Sequence, residues 1–422
     1  MNVAEVVERK PRNRLLRWMP ARHFLHGRLK QLEYGVLHMI DARGEHRFGR
    51  PDTDGLEATI EIRDPSCYAR VLMSGALGAA ESYLAGEWET EDLVSVVRLL
   101  ARNQDVLQGF DRGGAQLILP IRRLAHALRR NTRRGSQRNI MAHYDLGNDF
   151  FSLFLDRNLM YSCAIFEDER MSLDDAAEAK LERVCQKLDL VPRDHVLEIG
   201  TGWGGFALYA ARKHGCRVTT TTISPAQAHL ARQRIREAGL EDRVTVLEKD
   251  YRHLEGSFDK LVSIEMIEAV GLDNLSEFFR ACAARLRDDG LMLLQAITIA
   301  DRHFVDASQS VDFIQRYIFP GSALPSVGAL TEAIAKGSDF TAVQLEDIGL
   351  HYAETLRLWR ERFEMQIDTV RELGFGERFE RMWRYYFCYC EGGFLERSIS
   401  DVQVLLARSR HRGPYPLQAL VR

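Results

Sequence analysis

A short apolar run, His195 to Ile199, leads into Gly200-Thr201-Gly202-Trp203-Gly204-Gly205, and a helical pattern follows. Glycines at a strand-to-helix turn let the backbone approach a ligand without Cβ clashes, and the start of the helix offers unpaired N–H groups. The turn therefore reads as a nucleotide cradle in an α/β fold, although taken alone it also suits a tight structural turn. It satisfies G-x-G-x-x-G, but a dinucleotide site wants an Asp or Glu about twenty residues on to hold the ribose. The second strand ends instead in Thr219-Thr220-Thr221-Thr222-Ile223-Ser224, with no acid. Glu198, just before the first glycine, suits S-adenosylmethionine, whose ammonium and sulfonium make one end cationic.

Around the cradle the pattern is regular. Strands expected near 195–200, 216–223, 243–248, 258–264 and 290–299 alternate with helices near 203–214, 225–238 and 273–287, which argues for a parallel sheet with helices on both faces. Ser172 and Asp175 make a capping box for a helix reaching about 188. Beyond 340 the pattern predicts amphipathic helices over 356–373 and 377–390, then a strand over 402–407. Residues 30–105 mix strand-like alternation (Leu56 to Ile62) with helical periodicity through Tyr68, Val71, Leu72 and Leu77, a small α+β module. A chain of 422 residues with 45% hydrophobic content has room for two or three such cores.

No apolar run approaches the roughly eighteen residues that span a bilayer, and charges stand where a signal peptide would be apolar. The expected location is cytoplasmic. Seven scattered cysteines lack metal-ligand spacing, so reduced thiols are expected and no metal. The net charge of -3 hides an asymmetry. Arg9, Lys10, Arg12, Arg14, Arg17, Arg22, Arg28 and Lys30 are interleaved with Leu15, Leu16, Trp18, Met19, Phe24 and Leu25. A basic segment with apolar anchors can lie on an anionic lipid surface. A second cluster, Arg122, Arg123, Arg129, Arg130, Arg133, Arg134 and Arg138, reads as an interdomain helix and linker. Either cluster also suits a plain solvated face, and no nucleic-acid recognition motif accompanies them.

Several ordered motifs together strongly resemble the cyclopropane-fatty-acyl-phospholipid synthase family over about residues 140–410. They are His143-Tyr144-Asp145-Leu146-Gly147-Asn148-Asp149-Phe150-Phe151, Met160-Tyr161-Ser162-Cys163-Ala164, the glycine turn, Thr222-Ile223-Ser224-Pro225-Ala226-Gln227, Asp250-Tyr251-Arg252, Ile267-Glu268-Ala269-Val270-Gly271 and Tyr317-Ile318-Phe319-Pro320-Gly321. The resemblance implies a Rossmann-like class I methyltransferase sheet at 143–422, a basic linker at 116–142 and a lipid-engaging α+β domain at 1–115. It also implies methylation, by S-adenosylmethionine, of a cis double bond in a membrane phospholipid acyl chain. Methyl addition leaves a carbocation, and a base, in the family a bound bicarbonate, takes a proton so that a cyclopropane closes.

Carried over residue by residue, Glu198, Gly200, Gly202, Gly204 and Trp203 would form the cradle, with Tyr161 and Ser162 at the methionine end. Thr222, Ser224 and Gln227 would approach ribose and adenine, though Thr222 and Ser224 also suit a plain strand end. Tyr251 and Arg252 would flank the base. His143 and Tyr144 would sit near the lipid pocket, and His143 equally suits a core position. Cys163, Glu268, Ile297 and Tyr352 fall at the bicarbonate site, but the usual His is Gln295, a second His is Ala269, and the cradle's common Cys is Thr201. An amide can hydrogen-bond an anion but cannot change charge near neutral pH. Cyclopropane formation is therefore the leading expectation, with a methyl-branched or methylated unsaturated chain, completed by a partner enzyme, as runner-up. A lipid-binding pseudoenzyme is a third reading, and a small-molecule methyltransferase leaves the N-terminal module unexplained. The partners implied are unsaturated phospholipid, the anionic inner face of the cytoplasmic membrane and a second copy of the chain.

Overall fold

The computed structural model describes residues 18–104, 146–168 and 170–415. His143, Tyr144, the arginines from 122 to 138 and the basic residues before Trp18 lie outside the described residues. Those up to 104, with Glu377–Tyr385, form one compact unit, and those from 146 to Gly376 and from Tyr386 onward form a second.

In the first unit, helix α1 (Met19–Leu29) precedes the hairpin β1 (Gly35–Asp41) and β2 (Gly44–Arg50), then β3 (Glu57–Ile62), α2 (Ser66–Leu84), β4 (Trp88–Glu89) and α3 (Leu93–Arg102). The sheet order is β2-β1-β3-β4, with β1 and β3 parallel. Strand β3 alternates as its sequence does: Ala58 and Ile60 are buried, Glu57 and Thr59 exposed. Two expected lipid-facing residues turn inward. Leu25 is buried in the core, and the Arg22 Nε donates to Asp41 Oδ2 at 2.7 Å. That pairing, helped by the Tyr68 hydroxyl, holds the Asp41 carboxyl well below its usual range despite its burial. Phe24 remains exposed, with the Arg28 guanidinium 5.8 Å from its ring centroid.

The second unit opens with α4 (Asn148–Ser152) and α5 (Leu173–Lys187), the latter capped by Ser172 as its sequence predicts. There follow β5 (His195–Ile199), α6 (Gly205–His214), β6 (Arg217–Thr222), α7 (Pro225–Glu237), β7 (Val244–Glu248), β8 (Phe258–Ile264), α8 (Leu275–Arg285) and β9 (Leu286–Ile299). The chain ends through α9 (Asp301–Ser308), α10 (Val327–Gly337), β10 (Thr341–Asp347), α11 (Gly349–Met365), α12 (Ile367–Glu372), α13 (Glu377–Leu395) and β11 (Ile399–Ala407). Seven strands form one sheet in the order β10-β11-β9-β8-β5-β6-β7.

Alternation along each strand feeds two cores. Val196, Val218 and Leu293 pack with α5, α6 and α7 on one face, while Leu197, Leu261 and Leu294 pack with α8 and α10 on the other. The five strands expected between 195 and 299 are parallel, as their alternation with helices predicts, and β11 enters antiparallel between β9 and β10. Edge strand β10 had no legible signal, because its residues are mostly exposed or half-buried without alternation. Strand β9 begins at Leu286, four residues earlier than expected, and the helix expected over 356–373 begins at Gly349 and breaks at Gln366.

Asn103 sits buried past the end of α3 and ties it to the loop before β1. Its side chain accepts from Glu33 N (2.8 Å) and Tyr34 N (3.1 Å) and donates to Tyr34 O (2.7 Å) and Leu99 O (2.9 Å). Asn103→Ala leaves buried backbone groups unpaired and should cost about 2–4 kcal/mol, whereas Asn103→Asp keeps both acceptor bonds and should cost less than Ala. Denaturant unfolding of the three proteins reads the order directly.

Candidate active site

The cradle is built by backbone conformation. Gly200, Gly202 and Gly204 have φ of 106°, 51° and 83°, the left-handed half of the map where glycine carries no Cβ penalty. Gly200 N and Thr201 N donate to Thr221 O at 3.0 and 3.1 Å, pinning the turn to the end of β6. A Cβ on Gly202 would meet nothing within 4 Å, so the turn faces open space there. A Cβ on Gly205 would fall 2.7 Å from Asn158 O, so that glycine serves packing. Trp203 is buried, and its indole donates to Asn148 Oδ1 at 2.7 Å, which docks α4 beside the cradle. Arg234, on α7, donates to Trp203 O (2.7 Å) and Asn158 O (3.0 Å) and braces the turn, a role its sequence did not announce.

Glu198 is buried behind this turn. Burial drives its pKa up to about 8, only partly countered by Thr220 and Lys180, and its Oε2 has no hydrogen-bond partner. An unpaired buried carboxyl oxygen at an open cradle fits the cationic end of S-adenosylmethionine. Thr222 and Ser224 are engaged locally: the Thr222 hydroxyl donates to Gln227 Oε1 at 2.9 Å, and Ser224 Oγ caps α7 by accepting from Gln227 N. Tyr251 packs edge-on to Phe278 (5.4 Å), and Arg252 pairs with Asp250, its guanidinium 5.5 Å from the Tyr251 ring centroid. Tyr161 donates to the Tyr386 hydroxyl at 3.1 Å and lies 5.3 Å from Trp359 and 6.0 Å from Phe319, part of an aromatic wall. The Ser162 hydroxyl accepts from Lys180 Nζ at 2.8 Å, so that side chain is already spoken for.

At the carboxyl ends of β8 and β9 the expected catalytic residues converge, but around a residue that sequence reasoning missed. Glu265 Oε1 accepts from Cys163 N (2.8 Å) and Gln295 Nε2 (2.7 Å), and its Oε2 accepts from the Tyr352 hydroxyl (2.6 Å). Gln295 Nε2 also donates to Asp401 Oδ2 at 2.8 Å, and Gln295 Oε1 accepts from Gln403 Nε2 at 3.0 Å, which fixes how the amide points. Lys187 Nζ continues the chain to Gln403 Oε1 at 2.9 Å. Ile297 N donates to Glu268 Oε1 at 2.6 Å, while Glu268 Oε2 and Asp401 Oδ1 lack partners. The Cys163 thiol donates to backbone carbonyls, and burial with nearby Asp401 and Glu265 raises its pKa far above normal, so it stays a thiol.

Two buried carboxyls, Glu268 and Asp401, and the half-buried Glu265 share this cluster with the buried Lys180. They cannot all be ionised at neutral pH. Burial raises Glu268 to about 8, with Glu265 adding to the effect. Asp401 rises well above the usual carboxyl range, first from burial and then from Glu265, so it favours its neutral form. Burial raises the Glu265 carboxyl above its usual range too, and its donors Tyr352 and Cys163, with Lys180, oppose that rise and favour its ionised form. The bicarbonate implied by resemblance does not fit this arrangement: the Cys163, Gln295 and Tyr352 donors already bind a carboxylate, and the unpaired oxygens nearby belong to carboxyls.

Residues 131–404 match the family described as mycolic acid cyclopropane synthetase. The chain is 38% identical over 358 residues to the tuberculostearic acid methyltransferase UfaA1 of Mycobacterium tuberculosis, covering 83% of each chain. It is 36% identical over 361 residues to the cyclopropane-fatty-acyl-phospholipid synthase of Escherichia coli strain K12, covering 84% of this chain and 89% of the relative. Among solved structures, the mycolic acid cyclopropane synthase CmaA1 complexed with SAH and CTAB is similar with a TM-score of 0.60 and 31% identity, over 64% of this chain and 98% of that one.

Glu198 yields a pH signature. Its raised pKa means the cofactor-free fold holds a proton that the unfolded chain has lost, so this group's stability contribution falls as pH rises from about 4.5 to 8. Binding a cationic ligand must expel that proton. S-adenosylmethionine affinity should therefore rise by up to about tenfold per pH unit between about pH 6 and pH 7.5, with proton release visible when calorimetry is repeated in buffers of different ionisation enthalpy. Glu198→Gln should flatten the profile and abolish the release. For the cradle itself, Gly202→Asn tolerates a left-handed backbone yet fills the open space, so it should weaken binding far more than it lowers the melting temperature.

Proposed function

From its place in the mycolic acid cyclopropane synthetase family, to which this chain belongs as an S-adenosylmethionine-dependent methyltransferase acting on fatty acyl lipids, we propose that it C-methylates the cis double bond of an unsaturated phospholipid acyl chain, giving a methylated chain without a ring. The observation that carries the reading is the convergence of an open, carboxylate-backed cradle and a buried carboxyl cluster at the same ends of β5, β6, β8 and β9. When bound, S-adenosylmethionine supplies an electrophilic methyl on sulfonium. Glu198 and the Gly200–Gly204 turn would hold it, with Tyr251 and Arg252 beside the base. Met266 links the two halves of the site, since its side chain lies 3.3 Å from where a Gly200 Cβ would be. Tyr161, Trp359 and Phe319 offer aromatic faces, which attract a carbocation and exclude water. Proximity then supplies much of the acceleration, because an alkene is a poor nucleophile.

The ring-free product is favoured by two things. Gln295 cannot titrate, and its amide is committed to Glu265 and Asp401. UfaA1, a relative by 38% identity, is named for tuberculostearic acid methylation. Ring closure is the second reading, supported by the Escherichia coli relative at 36%. The first unit and the basic segments are read as the lipid-engaging part, on the inner face of the cytoplasmic membrane. Among the described residues no helix is long and apolar enough to cross one.

Feeding methyl-labelled methionine to an expressing host tests this. The label should enter phospholipid acyl chains one carbon longer in mass but still reducible by mild hydrogenation, and proton NMR should lack the ring-methylene signals. Ring signals would select the second reading, and label absent from lipid would remove both.

A further inference from the structure

Three groups at the positions expected to bind an anion, Cys163 N, Gln295 Nε2 and the Tyr352 hydroxyl, hold the protein's own carboxylate. We propose that Glu265 is the built-in proton acceptor of the reaction, taking the place that a bound bicarbonate would fill, and that Asp401 with Gln295 positions it. The inference rests on the methyl-transfer reading and adds the identity of the base.

Three observations support it. The donors to Glu265 come from three separate segments, Cys163 in the loop before α5, Gln295 on β9 and Tyr352 on α11, all within 2.6–2.8 Å. A side chain serving only to fill the core would not need that convergence. Asp401 and Gln295 behind it are fully buried, whereas Glu265 is half-buried, so Glu265 is the member of this group that keeps accessible surface. Its backbone is also strained: φ is +46°, in a non-glycine residue, which costs about 1–3 kcal/mol. Two of the other positive-φ residues, Asp189 and Arg397, simply close helices, where this conformation is common. Leu159 and Glu265 instead flank the site, and the turn at Glu265 aims its side chain back towards β9, with Glu265 N donating to Gln295 O at 2.9 Å.

The step balances without an outside reagent. A C–H bond on a carbon adjacent to the cationic carbon breaks, its electron pair becomes the π bond of a carbon–carbon double bond, and the proton goes to Glu265, which becomes a neutral acid. Asp401 and Gln295 then face a neutral carboxyl in place of a carboxylate. Gln295 suits this better than histidine would: a neutral amide, oriented by Gln403, donates to both carboxyls without competing for the proton.

The test pairs a binding readout with turnover. In carbon dioxide-depleted buffer the native enzyme should keep its rate within about twofold, and 13C-bicarbonate should show no specific binding by NMR. Glu265→Gln, nearly isosteric, should retain S-adenosylmethionine affinity and lose at least about a hundredfold in product formation, the usual scale for a lost general base. Glu265→Gly relieves the backbone strain and empties the donor set, so 13C-bicarbonate should now bind and restore at least tenfold of the lost rate. A native enzyme that stalls without bicarbonate and recovers with it overturns the proposal. So does a Glu265→Gln enzyme of near-native rate, or a Glu265→Gly enzyme that neither binds nor responds to bicarbonate. Because NMR reads the site without turnover, a protein that binds no bicarbonate natively yet methylates no lipid would fault the functional reading rather than this one.

Discussion

The carboxyl of Glu265 is the group around which the hydrogen bonds of the candidate site are organised. Cys163, Gln295 and Tyr352 donate to it, and Gln295 joins it to Asp401. A buried anion is expensive unless it is fully hydrogen-bonded. Meeting that demand brings the loop before α5, the ends of β8 and β9, the start of α11 and strand β11 together. The antiparallel insertion of β11 follows the same logic, because it sets Gln403 opposite Gln295 and Asp401 opposite Ile297. Lys187, wholly buried, then links Gln403 to Glu346 at the protein's edge.

The cradle and the cluster are two answers to one topology. Parallel strands all end at the same edge of the sheet, and ligands bind in the crevice beyond those ends. There the chain places Glu198 with one unpaired oxygen towards a cationic cofactor and Glu265 with two donors on Oε1 and one on Oε2, which leaves Oε2 able to accept again. The contrast assigns different work to the two carboxyls: an unsatisfied buried one is poised to meet a charge, while a donor-held one is fixed in place with one acceptor position left for a proton. Lys180, buried beneath Ser162, supplies a positive charge that favours the ionised form of both.

Local features of this arrangement were legible in the sequence and long-range ones were not. The cradle could be read because strand, glycines and helix are contiguous, and the Ser172 cap because its partner is three residues away. Thr222 and Ser224 were also visible, but their hydroxyls turn out to be occupied in capping α7 and binding Gln227. Gln295 stood out only as a departure from a family pattern, and its meaning depended on a neighbour thirty residues back. Glu265 itself looked like one more acid in Ile264-Glu265-Met266-Ile267-Glu268, since its partners are spread from Cys163 to Asp401. Lys180 falls in the helix expected to reach about 188, and nothing local in the sequence shows that its face is covered. Leu25 and Arg22 looked lipid-facing because composition cannot tell an anchor from a small core with an ion pair.

The most direct test of the account is a crystal structure of the protein with S-adenosylhomocysteine, grown in bicarbonate-containing buffer. The account predicts the Glu265 carboxylate between Cys163 N, Gln295 Nε2 and the Tyr352 hydroxyl, with no separate anion there. A planar anion held by those three donors, with Glu265 swung away, would contradict it.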